Sequence, residues 1–274
     1  MIRPHWHRPH WHCIPWLLAM AILLDVAPSA AQDAPPAKPD PPPAAAPTPK
    51  AEEPKDERSS AAELDKVEGL KRILRDYDVW IDLKRKLVIA EGYVCLREGA
   101  LEMFACPTGT KEHESIVALN CKAFHIHAAL VAVGAKPVHP VKFDPEYVPA
   151  QGTSVKIDVL WRDREGKNRR VSARKWVKDH KTGKLLEHDW VFGGSQFWKE
   201  PGSPKELYLA EDGDLICVSN FTTATLDLPI ESSAEAEDVL FVANTPEIPA
   251  LKTRVRLVLT PVLKAKAAKD APQK

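Results

Sequence analysis

Hydrophobic and polar positions alternate in four different ways along the 274 residues, and each pattern predicts a different kind of segment. Ile14 to Leu24 is a short apolar run, and Asp33 to about Arg58 has nine prolines and no aromatic residue. In the third stretch, Leu64, Val67, Leu70, Ile73 and Leu74 recur at helical spacing, which predicts an amphipathic helix over Ala62 to Tyr77. Val79 to Asp82 and Leu87 to Leu96 then read as two strands, and the Lys84-Arg85-Lys86 turn between them predicts an antiparallel pair. A third run, Leu101 to Cys106, stops at the turn signal Pro107-Thr108-Gly109. His113 to Leu119 and Ala123 to Ala135 follow as two helices joined at Asn120-Cys121, the second presenting Phe124, His127, Ala128, Val131 and Ala135 on one face.

Beyond about residue 150 the period shortens to two. Val155, Ile157 and Val159 point one way, with Lys156 and Asp158 the other, and Arg164-Glu-Gly-Lys-Asn turns the chain into Arg170 to Arg174. Strand-like runs recur at Leu185 to Phe192, Leu207 to Ala210, Leu215 to Phe221, Val239 to Ala243 and Thr253 to Pro261. The expected fold is α+β: a short helical hairpin packed on a predominantly antiparallel β-sheet or sandwich.

Composition changes the picture mainly at the ends. Arg3 and Arg8 before the apolar run, and Ala27-Pro28-Ser29-Ala30-Ala31 after it, predict a secretory signal peptide over 1–31. The run has 11 residues, whereas a bilayer crossing takes roughly 20, so no transmembrane helix is expected in the mature protein. The histidines of the two His-Trp-His repeats at 5–7 and 10–12 would leave with that peptide. Residues 32–60 predict a disordered Pro/Ala-rich linker, 61–263 a folded domain with a sub-boundary near 150, and 264–274 a disordered tail. The expected location is periplasmic or extracellular. Without residues 1–31, 36 basic residues face 37 acidic ones, a net charge near −1 that offers nucleic acid no electrostatic footprint.

Candidate chemistry gathers in Lys111 to Gly134, where His113, Glu114, Cys121, His125 and His127 form the one plausible functional cluster. Imidazole and thiolate at His113, His125, His127 and Cys121 would suit zinc or copper. Residues 125 and 127 are about 200° apart on a helix, so the simpler expectation is a structural network with His127 as a core histidine paired to Glu114 or Glu102. A His–Glu acid–base pair is the alternative that would make a hydrolase, and Gly193-Gly194-Ser195 is its nearest approach to a nucleophile turn, although Phe197 stands where a second glycine belongs. Cys95, Cys106, Cys121 and Cys217 are spaced too widely for an iron–sulfur cluster and read as buried thiols or a structural disulfide. No nucleotide-binding pattern is present.

Val94-Cys95-Leu96-Arg97-Glu98-Gly99, Leu101-Glu102, Lys111-Glu112-His113-Glu114-Ser115 and His125-Ile126-His127-Ala128-Ala129-Leu130, followed by Gly134-Ala135, resemble the YdjY-like domain of exported bacterial proteins. Trp190 to Ser195, Cys217 to Phe221 and Leu226 to Pro229 resemble the longer secreted versions, so the resemblance covers roughly 78–262. It implies no established reaction. The ferredoxin-like label of some members does not transfer, because the cysteine spacing cannot hold a cluster. Together these readings point to an exported, non-enzymatic module that binds an envelope ligand or protein through its β half. A metal-binding or redox protein is the second reading and a hydrolase the third.

Overall fold

The structure is a computed structural model and describes residues 62–199, 201, 202, 204–232 and 240–263; the segments expected to form the signal peptide, the linker and the tail lie outside these. β1 (Leu70–Arg72), β2 (Val79–Asp82) and β3 (Leu87–Val94) make an antiparallel meander. Asp82 fixes its tight turn by accepting from the Lys84 and Arg85 amides at 2.9 and 2.7 Å. β4 (Met103–Pro107) and β5 (Ser115–Leu119) are parallel neighbours. Helix α1 (Ala123–Ala132) comes next, then a small ribbon of β6 (Pro137–His139) and β7 (Gln151–Gly152).

The second half begins with the hairpin of β8 (Ser154–Arg162) and β9 (Asn168–Ser172). β10 (Val177–Asp179), β11 (Trp190–Phe192) and the ribbon of β12 (Phe197–Lys199) with β13 (Glu206–Tyr208) follow. Last come β14 (Ile216–Cys217), β15 (Leu226–Asp227), β16 (Phe241–Ala243), which pairs with β10, and the long β17 (Arg254–Pro261).

Eight of these strands close on themselves in the order β3-β17-β8-β11-β15-β14-β4-β5, and β5 returns to β3 through Gly92↔Leu119, Tyr93↔Ala118 and Val94↔Val117. The result is a mixed barrel, parallel at β4–β5 and β14–β15 and antiparallel elsewhere. It replaces the expected helical hairpin on a sheet or sandwich. The helix predicted over His113 to Leu119 is instead one 3₁₀ turn, Glu112–Glu114, leading into β5, all five residues of which are buried. A strand covered on both faces is a continuous apolar run, and five residues of that kind do not distinguish helix from strand by period.

The helix expected over 62–77 is also corrected. Helical structure there spans only residues 62–64; Gly69 breaks it at φ +84°, and Leu70–Arg72 extends the free edge of β2. Leu64 and Leu70 cover Trp80, whose indole donates to Asp65 at 2.7 Å. Closure depends on a glycine where β3 passes from pairing with β2 to pairing with β5. A Cβ at Gly92 would lie 1.9 Å from the Ala118 carbonyl oxygen, so only glycine lets the strands meet there.

The interior is filled. Val155, Ile157 and Val159 of β8 and Val255, Leu257 and Leu259 of β17 join Phe104, Trp176, Trp190 and Phe192 in one buried cluster. Trp190 satisfies its indole N–H on the Cys217 carbonyl at 2.8 Å. α1 contributes Ala123, Ile126, Ala129 and Leu130, whereas Phe124 and Val131 of the predicted core face are 44% and 47% exposed. The helix is apolar on nearly every side, so its sequence does not say which side turns inward.

Candidate functional site

The residues nominated from the sequence divide among separate environments. His113 stands in the 3₁₀ turn with its side chain 78% exposed, 3.9 Å from Glu114. His125 lies in the first turn of α1, where Nδ1 accepts from the Lys122 amide at 3.3 Å and the ring meets Tyr77 edge-on at 4.3 Å. His127, two residues on, faces elsewhere. Cys121 is buried just before the helix and its thiol is pushed far above the usual range by burial. Among the described residues no three His, Cys, Asp or Glu side chains are grouped to hold a metal ion. His113, Cys121, His125 and His127 therefore do not converge on one centre.

Cys95, Cys106 and Cys217 are free thiols like Cys121. Burial drives all four pKa values upward, Cys95 to about 12, which holds them protonated and poorly nucleophilic at neutral pH.

His127 is half-buried in an aromatic cage. Phe192, Phe197, Tyr208 and Phe124 surround it with ring centroids 5.0 to 6.3 Å away. Its Nδ1 lies 3.0 Å from the Tyr208 hydroxyl, which also reaches the Gly194 carbonyl at 3.2 Å and Thr225 Oγ1 at 2.9 Å. With the phenol hydrogen on Gly194, its lone pairs accept from His127 and Thr225, which places the imidazole proton on Nδ1. Desolvation lowers the His127 pKa, so the ring is neutral at pH 7. The expected partner was Glu114 or Glu102, and the structure supplies Tyr208 from a strand 81 residues away. Ser195, at φ +55°, donates to the Thr223 carbonyl at 2.5 Å.

Glu102 and Glu114 instead face each other. Burial, and after it the neighbouring Glu114 carboxylate, pushes the Glu102 pKa up. Lys111 Nζ bridges Glu114 at 3.7 Å and Asp214 at 3.0 Å and sits 4.6 Å above the Phe221 ring. Asp214 also accepts from Thr223. Glu102, Glu114 and Asp214 share Lys111 as the cation of this cluster.

At the end of β8 away from His127 a cleft of about 440 Å³ opens. Arg97, Arg162, Arg164 and Arg169 line it together with Trp161 and Glu247. Trp161 is the last inward position of β8 after Val155, Ile157 and Val159, and it packs on the buried Trp176 at 5.5 Å, so it floors the cleft at the barrel mouth. One wall is the β8–β9 turn. There Asp163 Oδ1 accepts from the Glu165 and Lys167 amides at 3.1 and 2.9 Å, and Oδ2 accepts from Arg169 at 2.6 Å. The other wall is the approach to β17, held by Arg97 donating to the Ile248 and Thr245 carbonyls at 3.1 and 3.3 Å.

Two guanidinium groups are left to act outward. Arg162 makes a 3.4 Å contact to Asn168, and Arg164 has no hydrogen bond or ion pair among the described residues. The sequence reading passed over these arginines, since they lie in a turn and three separate segments. Their signal was present in Trp161-Arg162-Asp163-Arg164, a strand ending in an aromatic ring followed by two cations.

Comparison with known proteins settles the family. A family model for the YdjY domain matches residues 79–260, the stretch that contains every barrel strand except the last residue of β17. The chain belongs to the YdjY domain family. No curated protein and no solved structure matches it. The YdjY match starts at β2 and takes in both the His127 cage and the arginine-lined mouth, so both belong to the family domain.

Proposed function

We propose that this YdjY-domain protein is an exported, non-enzymatic binding module whose ligand site is the cleft at the barrel mouth and whose ligand carries negative charge. The observation that carries this reading is the four arginines that share one concavity with Trp161. Barrel mouths are a preferred place for ligand sites, and 440 Å³ lies within the roughly 300–1,000 Å³ that small-molecule pockets occupy. Guanidinium forks match carboxylate and phosphate oxygens in pairs, and they cannot be neutralised by deprotonation. Asp163 and Glu247 offset part of the charge, leaving the lining cationic by two.

The nominated histidines and cysteines support the same reading by standing apart from one another. His127 is tied into the aromatic cage, the thiols are held protonated, and His113 stands exposed. The test is isothermal calorimetry on the whole chain with digalacturonate, citrate and inorganic phosphate at one fixed ionic strength. At least one of the three should bind saturably and lose at least tenfold in affinity in the Arg162→Gln/Arg164→Gln double variant. Three flat titrations, or binding that the double variant leaves unchanged, would refute the assignment.

A further inference from the structure

We infer that the ligand of the mouth cleft is an acidic saccharide, a sugar unit carrying one carboxylate. This deepens the proposed function and rests on it. The charge is the first argument. Arg97 is committed to two backbone carbonyls and Arg169 to Asp163, so the cations available to a ligand reduce to Arg162 and Arg164, two residues apart in the β8–β9 hairpin and both lining the cleft. One fork pairs bidentately with a carboxylate, and the remaining lone-pair sites of that group can accept from the second arginine. A phosphate dianion or a polyphosphate would bring further charge against Asp163 and Glu247, both of which line the same cleft.

The apolar surface is the second argument. Trp161 offers its indole at the floor, and Pro246, Pro249 and Ala250 form a hydrocarbon side to the wall. A citrate or phosphate ion has no apolar face to place there, whereas the C–H face of a pyranose ring lies flat on indole while its hydroxyls stay at the ring's edge. The third argument is Glu247. Its carboxylate has no hydrogen bond or ion pair among the described residues. An acceptor on the rim of a cationic cleft repels a second anion and receives hydrogen bonds from hydroxyl groups. Fork, indole face and acceptor therefore fit a carboxylate, a sugar ring and its hydroxyls together.

The discriminating experiment is calorimetry with the whole chain, comparing galacturonate, which carries a single carboxylate, with citrate, inorganic phosphate and the neutral sugar galactose at constant ionic strength. Galacturonate should bind at least tenfold more tightly than each of the other three. Trp161→Phe should weaken galacturonate severalfold while leaving citrate within twofold, and a thermal melt confirms that the variant is folded. Glu247→Gln should weaken galacturonate and leave citrate equal or tighter. If citrate or phosphate binds as tightly as galacturonate, with the same dependence on Arg162 and Arg164, the cleft remains an anion site and the saccharide assignment falls. Galactose binding equal to galacturonate would also overturn it. If no charged probe binds, the proposed function fails along with it.

Discussion

The two ends of β8 solve opposite problems with similar residue types. Near Ser154, β8 joins β11, and Phe192 of that strand packs on His127 together with Phe124, Phe197 and Tyr208; at this end rings gather, mostly edge-on, around one neutral imidazole. Near Arg162, Trp161 is again aromatic floor, but the groups around it are arginines, and they diverge to leave a cleft. The caged histidine contributes packing and a fixed hydrogen bond. Like charges brought into one concavity resist being packed shut. The comparison teaches that density of reactive residue types in sequence is a poor guide to a site. The cleft was built from positions as far apart as 97, 164 and 247, each ordinary where it stands.

The largest expected effect is the pH dependence of the end near Ser154. Asp227, two residues beyond Thr225 of the Tyr208 network, is buried and accepts from Asn220 Nδ2 at 3.0 Å and the Leu228 amide at 2.8 Å. Burial, with a smaller push from Asp214, raises its pKa to about 7. A carboxyl whose folded pKa lies above its unfolded value of about 3.9 favours the folded state fully below that value and loses the contribution as pH rises through about 7. Urea denaturation from pH 4 to 8 should therefore show a decline of roughly 2–4 kcal/mol attributable to this group. Asp227→Asn should flatten the curve. An identical pH profile in wild type and variant would mean that Asp227 is ionised and that the wall beside the cage is wetter than its burial implies.

A smaller effect separates the histidines. His127→Ala removes a ring with four aromatic neighbours and should cost about 2 kcal/mol. His113→Ala, at a 78% exposed side chain, should leave the melting midpoint within about 2 °C of wild type. Equal losses in the two variants would undo the distinction between a closed cage and an exposed turn.

Several elements were legible in the chain and others were not, for identifiable reasons. β2, β3, β8 and β17 follow strands read from alternation and turn residues, and the second predicted helix is α1. Barrel closure was hidden because it depends on Gly92 meeting Leu119 and on two parallel pairings, which leave no local period. β5 was misread because both its faces are buried, and the inward side of α1 because Ala, Phe, Ile, Leu and Val surround it. Of the nominated residues, the partners of the histidines were not legible. Tyr208 and Glu211 approach α1 from the other half of the chain, and no spacing rule reaches that far.

Glu211 gives the next prediction. Its carboxylate accepts from the Ala123 and Phe124 amides at 3.2 and 3.0 Å, replacing the missing side-chain cap at the start of α1. Glu211→Ala should cost about 1 kcal/mol in urea denaturation, with Glu211→Gln losing less, because the amide oxygen still accepts although the favourable charge at the helix N-terminus is gone. A neutral Glu211→Ala would show that the closed end is held by its rings alone.

The smallest expected stability effect belongs to the open mouth, and its smallness is the point. Arg164 is exposed and has no hydrogen bond or ion pair among the described residues, so Arg164→Gln removes charge without removing a contact that the fold uses. Its thermal midpoint should match wild type within about 2 °C. Relief of repulsion from Arg162 and Arg169 on the same hairpin would move it upward, whereas a lost structural role would move it down. Residues that bind a ligand are often poorly satisfied without one, because the groups that would stabilise them belong to the ligand. A marked destabilisation in Arg164→Gln would show that this guanidinium is engaged by the protein itself, leaving Arg162 alone to face an anion. An unchanged or slightly raised midpoint, beside the loss in His127→Ala, would show that the fold leans on the ring at one end of β8 and not on this guanidinium at the other.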